Sequence, residues 1–137
     1  MNVIPGEAEI YVDMRGIDDG TKAETTEAIR QEIKAIGAKR SIAVDIVLLT
    51  DEKPTKFSTK VIRMLETVCD ELGVDALELP SGAGHDAAHL GEAIDASMIF
   101  VPSIRGISHD PREATRQEDI HLGAQILLAT LLSLASY

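Results

Sequence analysis

Leu79-Pro-Ser-Gly-Ala-Gly-His-Asp-Ala87 and, further on, Phe100-Val-Pro-Ser-Ile-Arg-Gly-Ile-Ser-His-Asp-Pro111 decide how this chain is read. Each begins with apolar residues suited to a short strand, then breaks into a Gly/Ser-rich turn that presents a histidine. Units of this kind place side chains at the carboxyl ends of strands in α/β proteins, where loops carry the chemistry. Two of them within 137 residues point to one shared site.

The surrounding sequence extends the α/β reading. Between the two turns, a short helix is expected from near His85 to Gly91, followed by a buried strand over Ala96 to Pro102. Upstream, Ser58 suits the cap of a helix whose stripe is Val61, Ile62, Leu65, Val68, Cys69 and Leu72, with Gly73 ending it. Downstream, Ile120, Ala124, Leu127 and Leu131 stripe a final helix over Thr115 to Ser136. The charged, proline-containing run Asp51-Glu-Lys-Pro-Thr55 marks a boundary.

Before that boundary, Ala8, Ile10, Val12 and Met14 alternate with Glu9, Tyr11 and Asp13, the period of a half-buried strand. Asp18-Asp-Gly-Thr21 then offers N-cap chemistry for a helix carrying Ala28, Ile29, Ile33 and Ile36 and stopped by Gly37. Ile42, Val44, Ile46 and Leu48 share one face of a second strand over Ser41 to Thr50. The expectation is a β-α-β unit. Two strands and one helix offer little surface on which to bury an alternating face.

A net charge of −10 argues against nucleic-acid and anionic-membrane partners, which need a basic footprint. Aromatic content is 3% with no Trp, so Leu, Ile, Val and Ala must fill the core. The single cysteine, Cys69, has no internal disulfide partner and reads as a small buried hydrophobe. The first residues lack a basic, then apolar, leader pattern. The apolar run Ile126 to Ala135 falls short of the about 20 residues that span a bilayer. The reading is a cytoplasmic protein without a membrane partner.

His85 and His89 stand one helical turn apart, a spacing that serves either a zinc-chelating pair or a capping His85 beside a surface His89. Gly84 lets a ligand approach the backbone closely. His109, on a loop with small neighbours and a following proline, is a candidate ligand or acid/base group, whereas His121 on the last helix reads as surface or packing. Arg15 is either half of a surface ion pair or a bidentate carboxylate clamp. No nucleophile elbow, P-loop or dinucleotide fingerprint is present.

Taken in order, Asn2-Val-Ile-Pro-Gly6, Val12-Asp-Met-Arg15, Ser81-Gly-Ala-Gly-His-Asp-Ala87 and Val101 to Pro111 resemble the carbamoylase/allantoate amidohydrolase branch of the di-metal aminoacylase-like peptidase family. The resemblance covers essentially the whole chain. It implies that residues 1–53 are the second half of a ferredoxin-like lid that also mediates homodimerisation. Residues 54–137 would then be the C-terminal α/β part of the catalytic domain. His109 matches a metal ligand; Asn2, Arg15 and Gly84 match substrate-holding positions; and His85 is read as either supporting a metal ligand or orienting the substrate. The family's remaining ligands for two divalent ions (zinc or manganese) and its general base lie upstream of the residues present here, so no catalytic residue is assigned to this chain. In a lid of this type a further strand would sit between the two read here. Arg105 stands where relatives usually carry a small or neutral residue.

The function implied is hydrolysis of a carbamoyl or ureido C–N bond in a small molecule, together with the N-terminal part of the enzyme and with no turnover by this chain alone. Two other readings remain: a stand-alone binding or dimerisation module that uses no metal, and an aminoacylase or peptidase of the same superfamily.

Overall fold

The computed structural model describes residues 4–136. The chain divides into two units, one running to Pro54 and the other beginning at Thr55.

The first unit is built on α1 (Asp19–Arg40), a helix of 22 residues. Asp18 caps it by accepting the Thr21 backbone N–H at 2.7 Å, which satisfies one of the first-turn donors left without a helical partner. The helix ends in a Schellman turn: Ser41 adopts a left-handed backbone (φ 54), its N–H reaches Ala38 O at 3.3 Å, and the Ile42 N–H reaches Gly37 O at 2.9 Å. Gly37 therefore does not stop the helix, as the sequence led us to expect. It lies buried inside the last turns because a Cβ there would fall 2.5 Å from Val44 Cγ2.

The chain then runs back along the helix. Lys22, near the start of α1, bonds Asp51 Oδ1 at 3.1 Å and also donates to the Glu52 carbonyl. The helical path from Lys22 to Gly37 and the extended path from Val44 to Asp51 both come to roughly 23 Å, so the two run side by side in register.

The second unit packs α2 (Thr59–Glu71) against α4 (Gln117–Ala135), with the short α3 (Asp86–Gly91) between them in sequence. Val68, Cys69 and Ile126 are buried together, flanked by Leu65, Val74, Ile99, Leu122 and Ala129. Burial pushes the Cys69 thiol up from its ordinary range, with the neighbouring Asp70 charge adding to it, so it behaves as the small hydrophobe expected. Gly73, at φ +67, closes α2 in a second Schellman turn through Gly73 N–H to Asp70 O and Val74 N–H to Cys69 O. Ser58 stands at the N-cap of α2 without a side-chain cap bond; its N–H instead reaches Ala96 O at 2.9 Å, tying the helix start to the 96–101 segment. Gly123 lets Val101 approach α4, since a Cβ would meet Val101 Cγ1 at 2.6 Å.

The α/β expectation is overturned. Among the described residues no β-strand forms, neither in the β-α-β lid expected over residues 1–53 nor in the C-terminal α/β part, and the regular structure is four α-helices and one 3-10 turn. The physical reason is that alternation dictates an extended backbone, while a strand also needs a neighbour to complete its hydrogen bonds. Residues 42–50 lie extended along a helix, which has no free N–H or C=O groups to offer along its length. Residues 7–15 form no regular structure, with Ile10 at 82% and Val12 at 58% exposure. The stretches 77–79 and 96–102 likewise form neither helix nor ladder. One further difference concerns α4. At 19 residues and a mean hydropathy of 1.2 it is long and apolar enough to cross a membrane by length and composition, more than the run Ile126 to Ala135 indicates.

Candidate functional site

Arg15 belongs to the first unit. It ends the first extended segment, where residues two apart share a face, so its guanidinium meets Asp13. Nε lies 3.2 and 3.0 Å from the two carboxylate oxygens and Nη2 lies 2.6 Å from Oδ2. This hydrogen bonding holds the Asp13 carboxyl below the usual carboxylate range. Arg15 borders a hollow of about 520 Å³ lined also by Met14, Ile17, Thr21 and Ile29, next to the start of α1. Arg15 sits in an exposed ion pair, its guanidinium holding the Asp13 carboxylate through Nε and Nη2. Asn2 lies outside the described residues.

The two histidine turns belong to the second unit. In the first, Ser81 Oγ accepts the Ala83 N–H and donates to Ala83 O, each at 3.3 Å. Around Gly84 a Cβ would meet nothing within 4 Å, so the backbone is open to approach. His85 caps α3, its Nδ1 accepting the Ala87 N–H at 3.0 Å. An accepting Nδ1 leaves the ring proton on Nε2, a hydrogen-bond donor on an exposed residue. Nδ1 is thereby occupied as a ligand atom, and His89 is exposed in the last turn of α3.

The second turn is a closed loop over residues 103–114. The Ile104 N–H reaches Ala114 O at 2.7 Å, and Ser103 Oγ donates to the Ile107 carbonyl and, at 3.5 Å, to Ala114 O. Three residues within it have left-handed backbones: Arg105 (φ 62), Gly106 (φ 66) and His109 (φ 55). His109 is held there by its own N–H, which donates to Glu113 Oε2 at 2.7 Å, leaving its imidazole exposed. Asp110 chelates Arg112 through Nε at 2.8 Å and Nη2 at 3.1 Å, and that bond lowers its pKa from the ordinary value.

The sequence reading gave no bracing role to Ser103 or Glu113 and did not single out Asp13 as the partner of Arg15. Only Asp13 left a signal, its two-residue spacing from Arg15. Among the described residues no group of three or more His, Cys, Asp or Glu side chains is placed to hold a metal ion. His85 and His89 thus gain no third ligand, and His109 is a single donor. The described residues do not make a metal centre by themselves.

The sequence profile of Peptidase family M20/M25/M40 matches residues 5–133. Allantoate amidohydrolase of Escherichia coli (strain K12) is 33% identical over 135 residues, 98% of this chain and 33% of its own length. N-carbamoyl-L-amino-acid amidohydrolase of Pseudomonas sp. (strain NS671) is 34% identical over 131 residues, 96% of this chain and 32% of its own. The crystal structure of a putative amidohydrolase/peptidase from Burkholderia cenocepacia superposes with a TM-score of 0.77 at 30% identity, covering 88% of this chain and 29% of that one. The chain thus spans about a third of the length of the curated relatives it matches.

Proposed function

This chain belongs to Peptidase family M20/M25/M40, and on that premise we propose that it is the C-terminal portion of a metal-dependent amidohydrolase cleaving a carbamoyl or ureido C–N bond. The observation that carries the reading is alignment along nearly the whole chain with an allantoate amidohydrolase and an N-carbamoyl-L-amino-acid amidohydrolase. In this reading residues 1–53 belong to the lid, through which two copies associate, and residues 54–137 to the catalytic domain of a cytoplasmic enzyme.

The residues then have separable roles. Arg15 exchanges the Asp13 carboxylate for that of the substrate, helped by Asn2. Gly84 leaves room for the substrate against the backbone, and the Nε2–H of His85 orients it. His109 contributes one ligand, joined by donors from outside the described residues, to a centre of two zinc or manganese ions. The general base likewise comes from outside them.

The test is an assay on allantoate and N-carbamoyl amino acids with zinc or manganese, using this chain alone and mixed with the upstream polypeptide. We expect no turnover by the chain alone and metal-dependent hydrolysis by the mixture. Turnover by the isolated chain, or none by an associated mixture, would overturn the reading.

A further inference from the structure

Arg105 stands apart from the other arginines of its segment. Arg112 is held by Asp110 at 2.8 Å, and Arg116 by Asp119 at 2.8 Å and Glu118 at 3.3 Å. The exposed guanidinium of Arg105 has no hydrogen bond or ion pair among the described residues. Its own loop over residues 103–114 offers none, because both carboxylates there are engaged: Asp110 by Arg112, and Glu113 by the His109 N–H. Acids are not scarce in this chain, which carries 23 of them against 13 lysines and arginines.

The backbone supplies a second reason. Arg40 and Arg63 are exposed too, but on helices. Arg105 adopts φ 62 and ψ 15, beside Gly106 at φ 66. Glycine takes this left-handed conformation at little cost, whereas an arginine takes it against steric resistance. Strain of this kind persists only where the surroundings enforce it, and it gathers at ligand-binding sites. Here the loop is clasped at its base by the Ile104 N–H to Ala114 O at 2.7 Å and by Ser103 Oγ to the Ile107 carbonyl. Four residues on, the same loop exposes His109. The chain alone keeps the two α-carbons within about 14 Å of each other.

We propose that Arg105 is a specificity-determining residue whose guanidinium binds a second carboxylate of the substrate. The preferred substrates are then N-carbamoyl derivatives of dicarboxylic amino acids. The proposal deepens the function proposed above and rests on it, since that reading gives one carboxylate to Arg15 and places His109 among the metal ligands. A guanidinium fork on the His109 loop addresses the substrate's side chain, and it suits a carboxylate better than a neutral amide.

The experiment compares N-carbamoyl-L-aspartate with N-carbamoyl-L-asparagine, which differ in that carboxylate alone. The first measurement is kcat/KM of this chain mixed with the upstream polypeptide and zinc or manganese. The wild type should favour the aspartate compound by about tenfold or more. Arg105→Gly, which suits the left-handed backbone, should bring the ratio to about one through KM, and Arg105→Lys should keep part of the preference. The second measurement is NMR of this chain alone, which needs no turnover. The aspartate compound should shift the Arg105 Nε–H and the amides of residues 104–109 more than the asparagine compound does, and Arg105→Gly should erase the difference. Equal rates on the two compounds, or a preference that Arg105→Gly leaves intact, would overturn the proposal. So would loss of association with the upstream polypeptide in Arg105→Gly, which would make Arg105 the partner of a protein carboxylate. Where neither compound is hydrolysed, an Arg105-dependent shift leaves the carboxylate site standing and counts against the proposed activity, and its absence overturns the site as well.

Discussion

Arg15 and Asp13 set the chemistry of the first unit through one hydrogen-bonded pair, and the sign of its pH dependence follows. The folded Asp13 carboxyl titrates below its unfolded value of about 3.9. Its contribution to stability is therefore complete above that value and disappears as the pH falls through the lower, folded one. Carboxyl NMR should find a titration midpoint for Asp13 below about 3.9, and Arg15→Ala should return it upward. A midpoint unmoved by the substitution would mean that the pair does not persist in solution. His85 allows a second check at this scale. His85→Ala removes the α3 cap at a cost of about 1 kcal/mol or less, whereas His85→Asn retains a capping acceptor. Faster amide exchange at Ala87 in the alanine variant alone would report it. The cap was legible because a polar residue just before a short apolar helix has few other local roles. The left-handed backbone of His109 was not, because it depends on Glu113, four residues on, reaching back to the His109 N–H.

At the scale of the element, α1 shows why a glycine is an ambiguous stop signal. Sequence rules place Gly at a helix end because it tolerates a left-handed backbone, but here Ser41 takes that conformation and Gly37 admits Val44. The two roles predict opposite responses. Gly37→Ala gains up to about 1 kcal/mol of helix propensity, yet drives a Cβ to 2.5 Å from Val44 Cγ2, and overpacking of this kind costs about 1–3 kcal/mol. The net should be destabilising in urea titration; a more stable variant would show that the 42–52 segment does not lie on the helix in solution. Ser41→Gly relieves the left-handed strain and should stabilise by about 0.5–1 kcal/mol. The amphipathic stripe of α2 was legible as a periodic pattern. The segments read as strands were legible as alternating or apolar runs but not as unpaired, because alternation records side-chain environment and says nothing of what lies across the hydrogen bonds.

For the whole molecule, the decisive quantity is how little this chain buries. Only Val61, Val68, Cys69 and Ile126 form the buried apolar core among the described residues, while Ile4, Ile10, Leu49, Leu77 and Phe100 are all at least 65% exposed. Denaturant sensitivity scales with the surface newly exposed on unfolding. The isolated chain should therefore unfold in urea over a broad transition with an m-value below about 1 kcal/mol/M, the lower end for small proteins. Its exposed leucines and isoleucines should bind a hydrophobic dye before any denaturant is added. A partner that binds only the folded form raises the midpoint by mass action. If that partner covers these leucines and isoleucines, it must also displace the dye and steepen the transition, since the chain and its partner then unfold as one interior. A steep transition without dye binding in the isolated chain would show instead that it closes on itself and needs no complement.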